Sequence, residues 1–245
     1  DKYSHPVKNV IYVKESFKGP GVRDDMFKEF FKNVCACTYQ AGCGNNEECY
    51  CVETYGQNYE NGLLKNEQLN SQKSVFECSR FCCCSASCNN SIVQKGPSKE
   101  LLIQKTRNKG YGVFAGVYFP EGSYICEYAG EVIGHLEAQK RLLDPDCTKY
   151  LMLVREHWEN TVIETFVDAF KFGNIGRYLN HSCEPNCVVI PVRIGRLIPM
   201  LCFFTCKPVA IGEELTYFYC PESSVRSNMR CYCGAVNCCG YIPSV

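Results

Sequence analysis

The sequence predicts a mainly β fold of several small sheets with short helices, flanked on both sides by metal-binding cysteine modules. Three observations support that class. Short apolar, β-branched and aromatic runs recur from Leu101 to Tyr219, punctuated by glycine and proline. Cysteine supplies 21 of 245 residues, and its spacing is dominated by Cys-x-Cys. Amphipathic helical periodicity shows in one short stretch, His135 to Leu143.

Composition excludes several classes. At 46% hydrophobic and 13% aromatic residues, the chain has ample material for a core and is unlike a disordered chain. No apolar run approaches the roughly 20 residues of a membrane span. The first 34 residues mix charged and apolar side chains and lack the apolar core of a secretory signal. Lys plus Arg and Asp plus Glu number 26 each, so the formal charge is zero.

Residues 1–34 read as a lead-in segment with a turn at Gly19-Pro20-Gly21. Residues 35–96 carry Cys35, Cys37, Cys43, Cys49 and Cys51, then Cys78, Cys82, Cys84 and Cys88. Members of a Cys-x-Cys pair are too close to bridge each other comfortably but suit chelation of one ion. An odd cysteine count also argues for metal over disulfides. The sequons at Asn89-Asn90-Ser91 and Asn180-His181-Ser182 fit the rival, secreted reading.

Nine thiolates cannot give three tetrahedral zinc ions four private ligands each. If three sulfurs bridge two ions apiece, six terminal ligands complete the twelve contacts, in a cage of net charge −3. Cys83 breaks the pattern and is left outside this set. Val52 to Glu77, polar and rich in Asn and Gln, reads as a surface loop with little to bury.

Residues 97–219 form the β-rich domain. Its expected strands are Leu101–Lys105, Tyr111–Phe119, Ser123–Tyr128, Tyr150–Arg155, Val162–Val167, Val188–Ile194, Ile198–Phe204 and Leu215–Tyr219. No Gly-x-Gly-x-x-Gly follows a strand, so a Rossmann-type nucleotide site is unsupported. Residues 220–245 hold Cys231, Cys233 and Cys238, three thiols for a zinc that wants four. Cys183, Cys220 and Cys239 compete as the fourth donor.

The most informative stretch runs from Gly173 to Asn186 and contains Asn180-His-Ser-Cys183. Together with Lys109-Gly-Tyr-Gly112, Cys126-Glu-Tyr-Ala-Gly-Glu131 and Glu214-Leu-Thr-Tyr-Phe-Tyr219, it resembles the SET-domain protein lysine methyltransferases. The flanking clusters are similar to the pre-SET and post-SET zinc modules of the heterochromatin class of that family. The resemblance covers about residues 35 to 243.

This resemblance implies methyl transfer from S-adenosylmethionine to a lysine of a histone tail, in the nucleus and on chromatin. It implies Tyr219 as the catalytic tyrosine, Tyr128 as a second channel tyrosine, and Tyr217 at the position that limits the product to mono- and dimethyl-lysine. Phe218 departs from the family, where aspartate is common. Asn180 and His181 are the implied donor-binding pair. Lys109, Gly110 and Tyr111 form the implied hairpin beside the donor, with Tyr111 in place of a frequent Trp. Tyr150 and Arg177 match further donor-side positions. Cys183, directly after this pair, becomes the preferred fourth zinc ligand, so that metal binding folds the tail, Tyr241 included, over the site. That makes four zinc ions in all, three in the cage and one in the tail.

The chemistry suits those groups. A lysine amine with a reference pKa near 10.4 is neutral in about one molecule in a thousand at pH 7.4, a cost of about 4 kcal/mol. A narrow tyrosine-walled channel lowers that cost by desolvation and aligns the nitrogen behind the methyl group. Thirteen thiolates (−13) and four zinc ions (+8) turn the neutral chain to −5, which favours a basic histone tail and disfavours sequence-specific nucleic-acid binding.

The zinc-cage type implies lysine 9 of histone H3, while the segments around Cys126, Glu164–Asp168 and Asn180–Cys187 are similar to relatives for which lysine 36 or lysine 4 is the target. A rival reading keeps the fold as a catalytically inactive chromatin-binding module. The set Tyr128, Asn180, His181 and Tyr219 argues against it.

Overall fold

The computed structural model describes residues 4–29, 34–37, 43, 49–84, 88–158, 161–219 and 226–243. Along the chain run β1 (Ile11–Tyr12), β2 (Phe17–Lys18), α1 (Tyr50–Tyr55), β3 (Tyr59–Glu60), β4 (Leu63–Leu64), α2 (Asn66–Ser71) and β5 (Val75–Phe76). There follow β6 (Leu101–Lys105), β7 (Tyr111–Ala115), β8 (Tyr124–Glu127), β9 (Glu131–Ile133), α3 (His135–Arg141), α4 (Pro145–Thr148), β10 (Leu151–Trp158) and β11 (Thr161–Asp168). Then come β12 (Phe172–Gly173), β13 (Asn180–His181), β14 (Cys187–Arg193), β15 (Met200–Thr205), β16 (Glu214–Tyr217), β17 (Arg226–Arg230) and β18 (Tyr241–Pro243).

The strands form three four-stranded sheets, ordered β10-β11-β9-β2, β13-β16-β7-β6 and β5-β14-β15-β8, with three two-stranded pairs. The main core lies between them, with Val113, Ile125, Leu215 and Phe203 fully buried. Each expected strand of residues 97–219 is present, most with trimmed or shifted ends. The run expected over Tyr111–Phe119 stops at Ala115, because Gly116 turns against the Glu100 carbonyl, where a Cβ would meet the oxygen at 2.7 Å. The expected helix is α3, whose buried residue is Ala138; Leu136 and Leu143 face solvent.

The lead-in is woven into these sheets. β1 pairs parallel with β12, and β2 pairs parallel with β9. His5 donates from Nε2 to the Gly173 carbonyl (3.2 Å) and accepts at Nδ1 from the Tyr178 hydroxyl (2.9 Å). The backbone N–H of Ser16 donates to the buried Glu127 carboxylate at 3.1 Å.

The segment from Val52 to Glu77 corrects the expected surface loop. It contains most of α1, then β3, β4, α2 and β5, and buries Tyr59, Leu64, Leu69 and Val75 against Ile190, Val192 and Phe204. These apolar residues are spread singly, five or six positions apart, so the average composition hides them. Buried Glu77 anchors the segment: it accepts from the Tyr59 hydroxyl (2.8 Å) and from the N–H groups of Ile92 (2.8 Å) and Val93 (2.9 Å). A buried carboxylate survives when its lone pairs are used in this way.

A second buried polar tie joins β14 to β10. Arg193 makes a two-pronged ion pair with Glu156, at 2.6 and 2.8 Å, and donates to the Ser74 hydroxyl at 2.5 Å. The planar guanidinium suits this fork.

Candidate active site and cysteine clusters

Asn174 starts the site. Its side chain accepts from the N–H groups of Gly176 (2.9 Å) and Ala129 (3.3 Å), capping a buried helical turn at Ile175–Tyr178. Gly176 is required there, since a Cβ would lie 2.4 Å from the Glu127 carbonyl. The turn delivers the chain into β13, which pairs parallel with β16, so that Asn180 faces Thr216 and His181 faces Tyr217 in register.

On one side of β13 lies the Lys109–Tyr111 hairpin. The Asn180 amide donates to the Tyr111 carbonyl (3.0 Å) and to Glu214 Oε1 (2.9 Å). Lys109 pairs with the other Glu214 oxygen, and Gly110 takes the left-handed conformation (φ 72°) that closes the hairpin. The buried Arg177 guanidinium stacks over Tyr150 at 4.1 Å and Tyr178 at 4.9 Å. It donates to the Ala169 carbonyl at 3.0 Å, while its Nη1 has no hydrogen-bond partner among the described residues. A ligand carboxylate fits that atom.

On the other side the tyrosines gather. The Tyr219 hydroxyl donates to the Leu179 carbonyl (3.2 Å), and its backbone N–H donates to His181 Nδ1 (3.3 Å). The Tyr128 hydroxyl donates to the Tyr150 carbonyl at 2.6 Å. Phe203 bridges the rings of Tyr128 and Tyr217, with centroids 6.2 and 4.9 Å away. Burial pushes the phenols of Tyr128 and Tyr219 above their ordinary range, so both remain neutral O–H groups near pH 7. Burial, with the Lys109 charge, pushes His181 down to about 4, leaving a neutral imidazole.

A groove of about 940 Å³ opens onto this cluster. Tyr217, Phe218 and Tyr219 line its inner end, β10 and β14 line its walls, and Leu69–Ser74 completes the rim. Tyr128 stands behind the groove rather than on its surface, at 3% exposure. Phe218, at the family's aspartate position, packs edge-on against His181 at 5.0 Å. Glu214 and Asn186 stand in the motifs quoted from the sequence, which assigns neither a role. Asn186 donates to the Glu214 carbonyl (2.9 Å) and to Glu213 (2.8 Å) and accepts from the Thr216 N–H (2.8 Å). The acidic pair Glu213-Glu214 just before an aromatic strand is the signal that could have found them.

The cysteines meet as two clusters. Three overlapping sets of four sulfurs lie within 4.8 Å of one another: Cys35, Cys37, Cys43, Cys49; Cys35, Cys43, Cys78, Cys84; and Cys35, Cys51, Cys78, Cys82. The sulfurs shared between sets, Cys35, Cys43 and Cys78, form a triangle with sides of 3.5, 3.6 and 4.0 Å. Cys88 joins through Cys78 at 3.9 Å, and Cys83 is exposed. Burial pushes the Cys37 thiol up to about 12, so sulfurs this crowded ionise together only beside cations. Tetrahedral thiolate chelation suits zinc.

The second cluster joins Cys183 to Cys231, Cys233 and Cys238, again within 4.8 Å. Cys239 is exposed and contributes its backbone N–H to Cys183 Sγ at 3.5 Å, whereas Cys220 lies outside the described residues. No disulfide joins any two of the described cysteines. Tyr241 opens β18, which pairs with β17, and the Cys231 N–H donates to the Gly240 carbonyl at 3.1 Å where the two strands meet this cluster.

Comparison with known proteins agrees with this geometry. Residues 110–220 match the SET domain. The chain is 38% identical over 254 residues to the histone-lysine N-methyltransferase SETMAR of Rattus norvegicus, covering 95% of this chain and 78% of that protein. The methyltransferase domain of human SETMAR superposes with a TM-score of 0.83 at 35% identity, over 98% of this chain and 91% of that one. KRYPTONITE, solved with mCHH DNA, an H3(1-15) peptide and SAH, gives a TM-score of 0.76 at 26% identity, over 97% of this chain and 48% of that one. No helix among the described residues is long and apolar enough to cross a membrane. Likeness of this breadth leads where the Asn-His-Ser-Cys run and the cysteine spacing already pointed: the chain belongs to the SET-domain histone-lysine N-methyltransferases.

Proposed function

We propose that this protein methylates a lysine in the tail of histone H3, forming mono- and dimethyl-lysine, on chromatin in the nucleus. The observation that carries the reading is the position of Tyr219. Its ring lines the groove, its hydroxyl rests on the Leu179 carbonyl, and its backbone holds His181 beside Asn180. One residue thus joins the groove to the donor side.

S-adenosylmethionine, when bound, supplies an electrophilic methyl group on a sulfonium. Asn180, His181, Tyr150, Arg177 and the Lys109–Tyr111 backbone would hold it, Arg177 through its unpaired Nη1. The tyrosine cluster orients the incoming amine and strips its water, which favours the neutral nucleophile. Because burial raises the Tyr219 pKa, the phenol acts as a neutral hydrogen-bonding group and not as a base. The proton passes from the lysine to solvent as burial of the nitrogen in the channel lowers its pKa.

The histone tail binds extended along β14. β5 pairs with β14 at Val192 and Arg193, and among the described residues no strand covers Cys187–Pro191 on that side. The cysteines of the residue 35–96 module would hold three zinc ions, and Cys183, Cys231, Cys233 and Cys238 would hold a fourth; the ions would supply structural cross-links on either side of residues 97–219, the last one tying the 220–245 tail to Cys183. KRYPTONITE was solved with an H3(1-15) peptide, which supports an H3 substrate. Lysine 9 accords with the cage; lysines 36 and 4 accord with the SETMAR likeness.

The test is incubation of the zinc-loaded protein with labelled donor and peptides covering lysines 4, 9 and 36 of H3. Label in one peptide, as mono- and dimethyl product by mass spectrometry, is expected. A protein that binds the peptides and labels none is a chromatin-binding module instead.

A further inference from the structure

We infer that Glu214 is a positioning residue for the methyl donor, one that fixes the Asn180 amide and neutralises Lys109 so that the cleft accepts a cationic ligand. This rests on the methyltransferase reading above. The Asn180 NH₂ group faces two acceptors, the Tyr111 carbonyl at 3.0 Å and Glu214 Oε1 at 2.9 Å. An ionised carboxylate and a carbonyl offer no proton, so the amide has one satisfactory orientation, with its Oδ1 turned away as a free-facing acceptor. Glu214 spends its other oxygen on the Lys109 ammonium, and both side chains are only 18% exposed.

The surroundings are built for this contact. A Cβ at Gly112 would lie 2.6 Å from Glu214 Oε1 and 3.1 Å from Asn180 Nδ2, so glycine alone leaves room for the pair to meet. The Glu214 backbone is held on both sides, by Asn186 at its carbonyl (2.9 Å) and by pairing with Phe114 in β7. Residues that the sequence assigns to the donor, Lys109 and Asn180, therefore depend on a third that it does not.

Charge gives the arrangement a distinctive consequence. S-adenosylmethionine carries a sulfonium, an ammonium and a carboxylate, for a net +1; S-adenosylhomocysteine lacks the sulfonium charge and is net neutral. A Lys109 without its counter-ion repels the donor more than the product, and a half-buried site screens that repulsion poorly. Glu214 thus sets the preference of the cleft for donor over product.

The experiment is calorimetric titration of the zinc-loaded protein with each ligand. Glu214→Gln keeps the size of the side chain and an oxygen for Asn180 but removes the charge. It should weaken S-adenosylmethionine about tenfold and S-adenosylhomocysteine by no more than about threefold, with the kinetic loss falling in the donor KM. Lys109→Met added to Glu214→Gln should restore the donor-to-product affinity ratio. Equal weakening of both ligands without rescue, or no weakening, overturns the inference. Should Glu214→Gln fail to fold, by zinc content and thermal melting, Lys109→Met alone decides: the ratio should shift toward the donor, and an unchanged ratio overturns the inference. A wild-type protein that binds neither ligand removes the methyltransferase reading itself, and the inference falls with it.

Discussion

The rings of Tyr217 and Tyr219 lie with centroids 4.8 Å apart and tilted by 39°, so that two phenols share the inner end of one groove. Tyr217 is 7% exposed and packed on Phe203 at 4.9 Å, which leaves its hydroxyl little freedom to move aside. Removing that oxygen enlarges the end of the channel by about one hydroxyl. Tyr217→Phe should raise the trimethyl share of the product roughly tenfold, the scale on which one small group discriminates in a tight pocket. Mass spectrometry of the modified peptide checks this, and an unchanged product distribution takes Tyr217 out of that role.

Tyr219→Phe removes the hydrogen bond to Leu179 while keeping the ring. The turnover number should fall by about a hundredfold, as expected when the reacting groups lose alignment by an ångström or so. Zinc content should stay at the wild-type level, since Tyr219 belongs to none of the four-sulfur sets. Retained turnover would show that the hydroxyl is dispensable.

Cys183→Ser tests the link between tail and site. Cys183 lies two residues after His181, with its sulfur 3.5 Å from His181 Nε2, so one segment carries both a proposed donor-side group and a proposed metal ligand. The variant should lose about one zinc equivalent of about four, a structural zinc holding four ligands. Loss of β17–β18 order should accompany it, visible as faster amide exchange across residues 226–243. Unchanged stoichiometry by elemental analysis would place the fourth ligand elsewhere.

Glu127 gives the stability a pH dependence of definite sign. Burial raises its pKa to about 6, against contributions from Ser16 and Arg196 that lower it. A carboxyl raised in the folded state binds more protons folded than unfolded. Its contribution is therefore fully present below the unfolded value of about 4.5 and is lost as pH rises through about 6. The size is on the order of 2 kcal/mol. Glu127→Gln should keep the acceptor for the Ser16 N–H, raise the melting temperature at pH 7.5, and flatten the pH dependence between about 4.5 and 6 relative to wild type. Parallel melting curves for the two proteins across that range would refute it.

The catalytic sheets were legible because their strands are continuous β-branched and aromatic runs, and burial on both faces demands such runs. Val188–Ile194 and Ile198–Phe204 are examples, observed as Cys187–Arg193 and Met200–Thr205. Residues 52–77 were not legible, because Tyr59, Leu64, Leu69 and Val75 come from apolar runs of one or two residues between polar stretches, too short to show a period, and gain meaning only against Ile190 and Phe204. In the site, Asn180 and His181 stand in one recognisable run and Tyr219 in another; Glu214 opens that second run, but its two partners lie 34 and 105 positions away. A long-range ion pair of that kind leaves no local periodicity to read. Tyr128 shows a further limit: the resemblance names it a channel tyrosine, and the fold adds that it is buried, with its ring against Phe203 and its hydroxyl on the Tyr150 carbonyl.

The rim of the groove at Leu69–Ser74 comes from the stretch of chain that connects the two halves of the cysteine cage. The proposed path of the histone tail along β14 therefore passes an edge that a different module supplies. Substitutions within Leu69–Ser74 should change peptide affinity and leave the Tyr219 contacts in place, provided Glu77 keeps its bonds to Tyr59, Ile92 and Val93.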